Sequence, residues 1–133
     1  MKSVEEIGLS VKCIRNLIQV KNDITLQNFN NPYMIIAYGD KKICQKLKSN
    51  KFGFFNINEK YYFVLNESKK LKIQVYNVKC DQEAKVESGE LLGSVNIYLK
   101  YILDSFHDHD QFFELGNESY TSGQILVNLQ PVC

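Results

Sequence analysis

The chain has 133 residues, 44% hydrophobic and 23% charged, the composition of one globular domain long enough to bury a core without metals or disulfides. Sixteen Lys+Arg against fifteen Asp+Glu leave a net charge of +1, and Arg15 is the only arginine. A general nucleic-acid binder uses a charge excess and bidentate donors, so nucleic acid is not an expected partner.

No apolar stretch approaches the roughly 20 residues of a membrane span, and the acidic opening Met1–Glu6 does not read as a secretory signal. Cys13, Cys44, Cys80 and Cys133 are widely separated, with no CxxC pair. Reduced thiols in a cytoplasmic protein are the expectation.

In chain order, Leu9–Cys13 alternates apolar and polar residues, the period of a half-buried strand. The polar stretch Lys21–Asn31 reads as a loop closed by Pro32. Tyr33–Tyr38 is a short apolar run, and Gly39-Asp40 marks a hairpin into Ile43, Gln45 and Leu47. Tyr61–Leu65 is the next strand, and Leu71–Tyr76 follows with Leu71, Ile73 and Val75 on one face. Asn77–Glu90 lacks periodicity and reads as a long loop. Leu92–Ile97 alternates again, Leu99–Leu103 suggests a helical turn, and Phe112–Leu115 and Gln124–Leu129 complete the set.

Eight short strands joined by turns predict an all-β fold, an antiparallel β-sandwich. Its expected core is Leu9, Val11, Cys13, Ile35, Phe63, Leu71, Ile73, Val75, Val95, Ile97, Leu115, Ile125, Val127 and Leu129. The domain is expected over residues 8–131, with an N-terminal extension at 1–7 and a tail at 132–133.

The order of these segments resembles a C2 domain over nearly the whole chain. Leu9–Leu17 is similar to that family's first strand with its trailing A-x-N-L, and Asn30-Asn31-Pro32-Tyr33-Met34 to its Ser-Asp-Pro-Tyr-Val. Ile57–Phe63 resembles Trp-Asn-Glu-x-Phe-x-Phe, Leu71–Asn77 resembles L-x-x-x-V-x-D, and Glu90–Gly93 resembles Asp-x-Ile-Gly. Phe112–Leu115 and Gly123–Leu129 resemble the closing Trp-x-x-Leu and Gly-x-Leu-x-Leu, and starting and ending on these strands resembles the type II permutation.

The resemblance implies calcium-ligand positions at Thr25, Asn31, Asn77, Lys79 and Glu90. Calcium takes six to eight oxygens, mostly from carboxylates. Two amides and a lysine in those places predict a degenerate site that holds no metal, and no cofactor is expected. Lys41, Lys42, Lys46, Lys48 and Lys51 lie in and beside the strand where some C2 domains bind inositol phospholipids. They are candidates for contact with anionic membrane lipid.

If Ile35 and Ala37 face the core, Met34, Ile36 and Tyr38 form an outward apolar stripe, extended by Tyr76 and Tyr98, that a protein partner would cover. His107-Asp108-His109-Asp110, with Asp104 nearby, has two histidines and three acids that could ligate zinc. Two histidines one residue apart in a loop hold a metal only when a third ligand converges, so a solvated loop is the expectation. There is no phosphate loop, nucleophile elbow or HExxH, so no enzyme is expected. The leading expectation is a non-catalytic, calcium-independent C2-like domain acting as a protein-interaction subunit of a larger assembly. Family usage of such modules suggests a cytoskeletal or ciliary complex, and peripheral binding to anionic phospholipid is the alternative.

Overall fold

The structure, a computed structural model, describes residues 6–21, 23–27, 29, 31–48, 51–78, 86, 89–99, 110–116 and 121–132. Its spine is β1 (Glu6–Lys21), which runs 16 residues where the alternation announces only Leu9–Cys13. The strand starts inside the expected extension, and Ile7 is fully buried.

The other strands are β2 (Ile24–Leu26), β3 (Pro32–Tyr38), β4 (Lys41–Lys46), β5 (Phe55–Val64), β6 (Lys70–Asn77), β7 (Glu90–Tyr98), β8 (Gln111–Glu114) and β9 (Thr121–Val132). Among the described residues nine strands thus replace the expected eight, the extra one being the short β2 inside the polar stretch. One sheet has the order β2-β1-β9-β8, with β5 also on β1, and the other the order β4-β3-β6-β7. All pairings are antiparallel, as in a β-sandwich.

Two irregularities in β1 reset its faces. Register shifts fall between Val11 and Cys13 and between Arg15 and Ile18, and Asn16 takes a left-handed φ of 55°. The buried series is therefore Ile7, Leu9, Val11, then Ile14 and Leu17. The bulge adds one residue to the strand and turns Cys13 out of the core where simple alternation had placed it.

The main core also holds Met34, Ile36, Tyr38, Phe55, Phe63, Leu71, Ile73, Val75, Ile97, Leu115, Ile125, Val127 and Leu129, with Val95 half-buried against it. Ile35 belongs to a second cluster, with Tyr33, Tyr76, Val78 and Val86. That cluster packs on the opposite face of the four-stranded sheet, because residues adjacent along a strand point to opposite faces. Val78 and Val86 come from the expected 77–90 loop, so β3 is covered on both sides. The expected helical turn beyond Leu99, together with His107 and His109, lies outside the described residues.

The Tyr61 hydroxyl is buried with no hydrogen-bond partner among the described residues. Burial first, and Glu59 second, push its pKa up to about 12. The ordinary value is about 10, so the neutral phenol favours the folded state. Its contribution is complete below pH ~10 and lost as pH rises through about 12. A spectrophotometric titration should show one late phenol that is absent in Tyr61→Phe. That variant should melt no lower than the parent, since it removes an unsatisfied buried group.

Ile36 is fully buried at the centre of the main core. Ile36→Ala should cost about 2–5 kcal/mol in thermal unfolding, and Ile36→Lys should not fold. Asn96→Lys, on the exposed side of β7, should change stability by no more than about 0.5 kcal/mol.

Candidate functional site

Two regions carry the residues that the sequence singles out. The first is the end of the sandwich where β1 leads into β2 and where β3 and β7 begin. Asn31 precedes Pro32 there, and Asn77 closes β6 directly across from it, since Pro32 pairs with Asn77.

The two amides are bonded to one another's strands. The Asn31 backbone N–H donates to Asn77 Oδ1 at 3.0 Å, and Asn31 Nδ2 donates to the Val78 carbonyl at 3.1 Å. The Val78 N–H donates back to the Asn31 carbonyl at 3.1 Å. The side-chain oxygen of Asn77 is thus already accepting a hydrogen bond. Glu90 is engaged as well: its Oε1 accepts from Nε2 of the buried Gln19. Thr25 is exposed on β2, and Lys79 lies outside the described residues. Among the described residues no three His, Cys, Asp or Glu side chains converge as metal ligands.

The second region is the outer face of the four-stranded sheet. The hairpin pairs Tyr38 with Lys41, Ala37 with Lys42, Ile36 with Ile43 and Tyr33 with Lys46. Directly opposed residues share a face. Lys42 and Lys46 therefore point out with Ala37 and Tyr33, while Ile43 packs toward the core with Ile36.

On the other side of β3, Ala37 pairs with Lys72, and on β7 Lys70 pairs with Tyr98 and Lys72 with Asn96. Lys42, Ala37, Lys72 and Asn96 form one row across the sheet, with the two lysines about 10 Å apart at their backbones. Lys42, Lys46, Lys70 and Lys72 share this face, and no Asp or Glu occupies an outward position on its described strands.

The lysines expected to act together are thus divided. Lys41 points the other way: its Nζ donates to the Tyr62 carbonyl at 2.8 Å and lies 5.0 Å from the centre of the Phe63 ring. Lys48 is exposed just beyond β4, and the Lys51 side chain lies outside the description. Lys70 and Lys72 were missed. The signal was available, because Leu71, Ile73 and Val75 inward force both lysines outward.

The expected apolar stripe is corrected. Met34, Ile36 and Tyr38 are inside the core, and Tyr38 makes an edge-to-face contact with Phe63 at 5.9 Å. Tyr76 does share the outer face but is 9% exposed, within the second cluster. Tyr98, at 51% exposure, is the one stripe residue that is open.

The opposite sheet presents a different surface. Arg15 stacks 3.6 Å over the Phe112 ring and its Nε donates to Gln124 Oε1 at 2.7 Å. Gln124 Nε2 donates in turn to Glu114 Oε1 at 2.8 Å. The single arginine is used up in this network. Beside it, burial pushes the Cys13 thiol pKa up, with Arg15 opposing and Asp110 adding to the shift. Such a thiol stays protonated and is a poor nucleophile.

A family model described as the C2 domain matches residues 5–115. No curated protein sequence matches the chain. Among solved structures, a C2 domain-containing protein from a putative elicitor-responsive gene superposes with a TM-score of 0.67 at 16% identity. The alignment covers 96% of this chain and 90% of that one. The C2 domain labelled A of plant Extended Synaptotagmin 1 gives 0.62 at 17% identity, covering 100% of this chain and 99% of that one. The calcium-bound pair of C2 domains, A and B, of Extended-Synaptotagmin 2 gives 0.69 at 20%, covering 98% of this chain and 46% of that one.

The amide clasp predicts an asymmetry between two acidic substitutions. Asn31→Asp removes the donor to Val78 and sets a carboxylate against a carbonyl, so it should destabilise the fold by about 1–3 kcal/mol. Asn77→Asp keeps its acceptor but sets a carboxylate opposite Glu90, so it should cost less, about 0.2–1 kcal/mol. Paired thermal melts at neutral pH check the difference.

Proposed function

The chain belongs to the C2 domain family, a module for protein or lipid binding, and we propose that it docks without calcium on anionic phospholipid through the outer face of its four-stranded sheet. The observation that carries this reading is the shared face of Lys42, Lys46, Lys70 and Lys72. Each lysine near an anionic membrane surface contributes about 1 kcal/mol, and the attraction decays within a Debye length. A sheet face brings four such charges to one plane with little reorganisation.

Calcium independence is supported by the other end of the sandwich. A calcium ion replaces its hydration shell with carboxylate oxygens. Here two of the inherited positions are amides that hold each other, a third is a lysine, and Glu90 is bonded to Gln19. No catalytic role is proposed.

A protein partner within a larger assembly is the second reading. The buried stripe no longer supports it, but Phe52 and Ile24, 70% and 60% exposed, do. Isolated apolar side chains are ordinary on a surface, whereas two this open near one end of a sheet suit a partner.

Cosedimentation with phosphatidylcholine vesicles containing phosphatidylserine should show binding that weakens as salt rises and is unchanged by chelating calcium. Lys42→Gln with Lys46→Gln should remove about 2 kcal/mol, roughly thirtyfold in affinity. Binding that requires calcium, or that ignores both salt and this pair, would contradict the reading. No binding at low salt would favour the protein partner.

A further inference from the structure

β5 and β2 share the edge of β1 that β9 leaves free. Ile14 pairs with Phe55 of β5 and with Ile125 of β9, while Gln19 pairs with Leu26 of β2 and with Thr121 of β9. Between them the edge is covered by the short turn Lys51–Gly53. A Cβ on Gly53 would collide with the Leu17 backbone, so the turn lies flat against β1. Phe52 beside it takes a left-handed φ of 64°, a conformation that bulky residues avoid. The strained turn holds an apolar ring out in solvent.

Other apolar side chains join it. Of the ten large hydrophobic residues exposed among the described residues, five fall on this corner: Val20, Ile24, Leu26, Phe52 and Phe54. Ile24, Thr25 and Leu26 are all exposed, and among the described residues β2 pairs with β1 alone. An apolar edge with unpaired backbone groups is a template for another strand. The edges of β4 and β5 are guarded by lysines: Lys42 and Lys46 on β4, Lys60 on β5, and Lys41 on the Tyr62 carbonyl. β2 carries no charge.

We propose that this corner joins a second copy of the chain, β2 pairing antiparallel with the second copy's β2 about Thr25, so that two five-stranded sheets become one. In such a two-fold contact the same patch serves on both sides. Thr25 meets the second copy's Thr25, a favourable cross-strand pair, and Ile24 meets Leu26. The Lys51–Gly53 turn stands below the Gln19–Leu26 pair, so Phe52 reaches toward the second copy's Ile24.

Like faces like across a two-fold, which a surface of one sign resists. Ile24-Thr25-Leu26 and Phe52-Gly53-Phe54 are neutral, and Lys21, Asp23 and Lys51 at their margins are of both signs. The lysine face would set four cations against four. The two phenylalanines expose roughly 200 Å² per copy. With the aliphatic side chains and the added strand, the pair approaches the ~1,000 Å² at which specific interfaces begin. A weak, reversible dimer follows. The inference deepens the protein reading by naming the partner, and it leaves the lysine face free.

The experiment is sedimentation equilibrium of the intact chain from about 5 to 500 µM. A monomer–dimer equilibrium that salt does not weaken is expected. It should be at least tenfold weaker in Ile24→Thr/Phe52→Asn and within about twofold of the parent in Lys42→Gln/Lys46→Gln. Threonine suits a strand and asparagine accepts a left-handed φ, so melting curves should show the first double variant folded. Thr25→Cys should give a disulfide-linked dimer under mild oxidation, because paired strands bring opposed Cα atoms within disulfide reach. The parent, with its four native cysteines, and Asn96→Cys, on the other sheet, should not.

A chain that stays monomeric overturns the dimer. The choice between lipid and protein is untouched by that result and belongs to the vesicle test of the lysine face. A dimer that Ile24→Thr/Phe52→Asn leaves intact, or that Thr25→Cys fails to link, overturns the strand pairing. Monomers that bind neutral phosphatidylcholine vesicles, and lose that binding in Ile24→Thr/Phe52→Asn, give the corner to a bilayer and overturn the dimer.

Discussion

The phase of β3 decides what this molecule presents to its surroundings. Met34, Ile36 and Tyr38 are locked into the main core, so Tyr33, Ile35 and Ala37 must face outward. Through the hairpin register that choice carries Lys42 and Lys46 outward too, and through β6 it carries Lys72. Inverting the phase would put lysines inside the sandwich, where an unpaired charge costs several kcal/mol. Tyr38 ties the phase down at its end, because its phenol reaches through the core edge to the 65–69 turn. One side chain thus joins the packing of the core to the position of that turn.

The outer face is divided along its length. Toward the loop end, Tyr33, Ile35 and Tyr76 are sealed by Val78 and Val86. Toward the hairpin end the cover stops, and Ala37, with only a methyl group, lines an open depression beside Lys70, Lys72 and Tyr98. The same division explains why the amide clasp matters. Asn31 and Asn77 bind the strand ends together beneath the Val78 cover, a role in which an amide donor serves better than a carboxylate. Asn31 and Asn77, the positions the resemblance matches to calcium ligands, thus hydrogen-bond within the scaffold.

Much of the fold was legible because alternation survives in β6, β7 and β9. Leu71, Ile73, Val75, Ile97, Ile125, Val127 and Leu129 were all placed correctly in the core. Cys13 and Ile35 were not, for two physical reasons. A β-bulge shifts parity without leaving a mark in composition, so the core resumes at Ile14. β3 reads as a continuous apolar run, and both of its faces are covered, one of them by a valine pair from a distant loop. The hairpin held the missing information: a two-residue Gly39-Asp40 turn pairs Ile36 with Ile43 and Ala37 with Lys42, and lysine does not belong in a core. The amides Asn31 and Asn77 were legible in the sequence, whereas the hydrogen bonds between their strand ends depend on positions that are 46 residues apart.

The sharpest test uses thiols the chain already carries. Cys44 lies on the outer side of the four-stranded sheet, paired with Ile35, and Cys13 lies on the outer side of the other sheet, paired with Leu126. Both are half-buried. Alkylation rates at each, read by mass spectrometry with and without anionic vesicles, report which face meets the membrane. Docking through the lysine face predicts slower modification of Cys44 and an unchanged rate at Cys13. Protection of Cys13 with Cys44 unaffected, under conditions where the protein is vesicle-bound, would contradict the account.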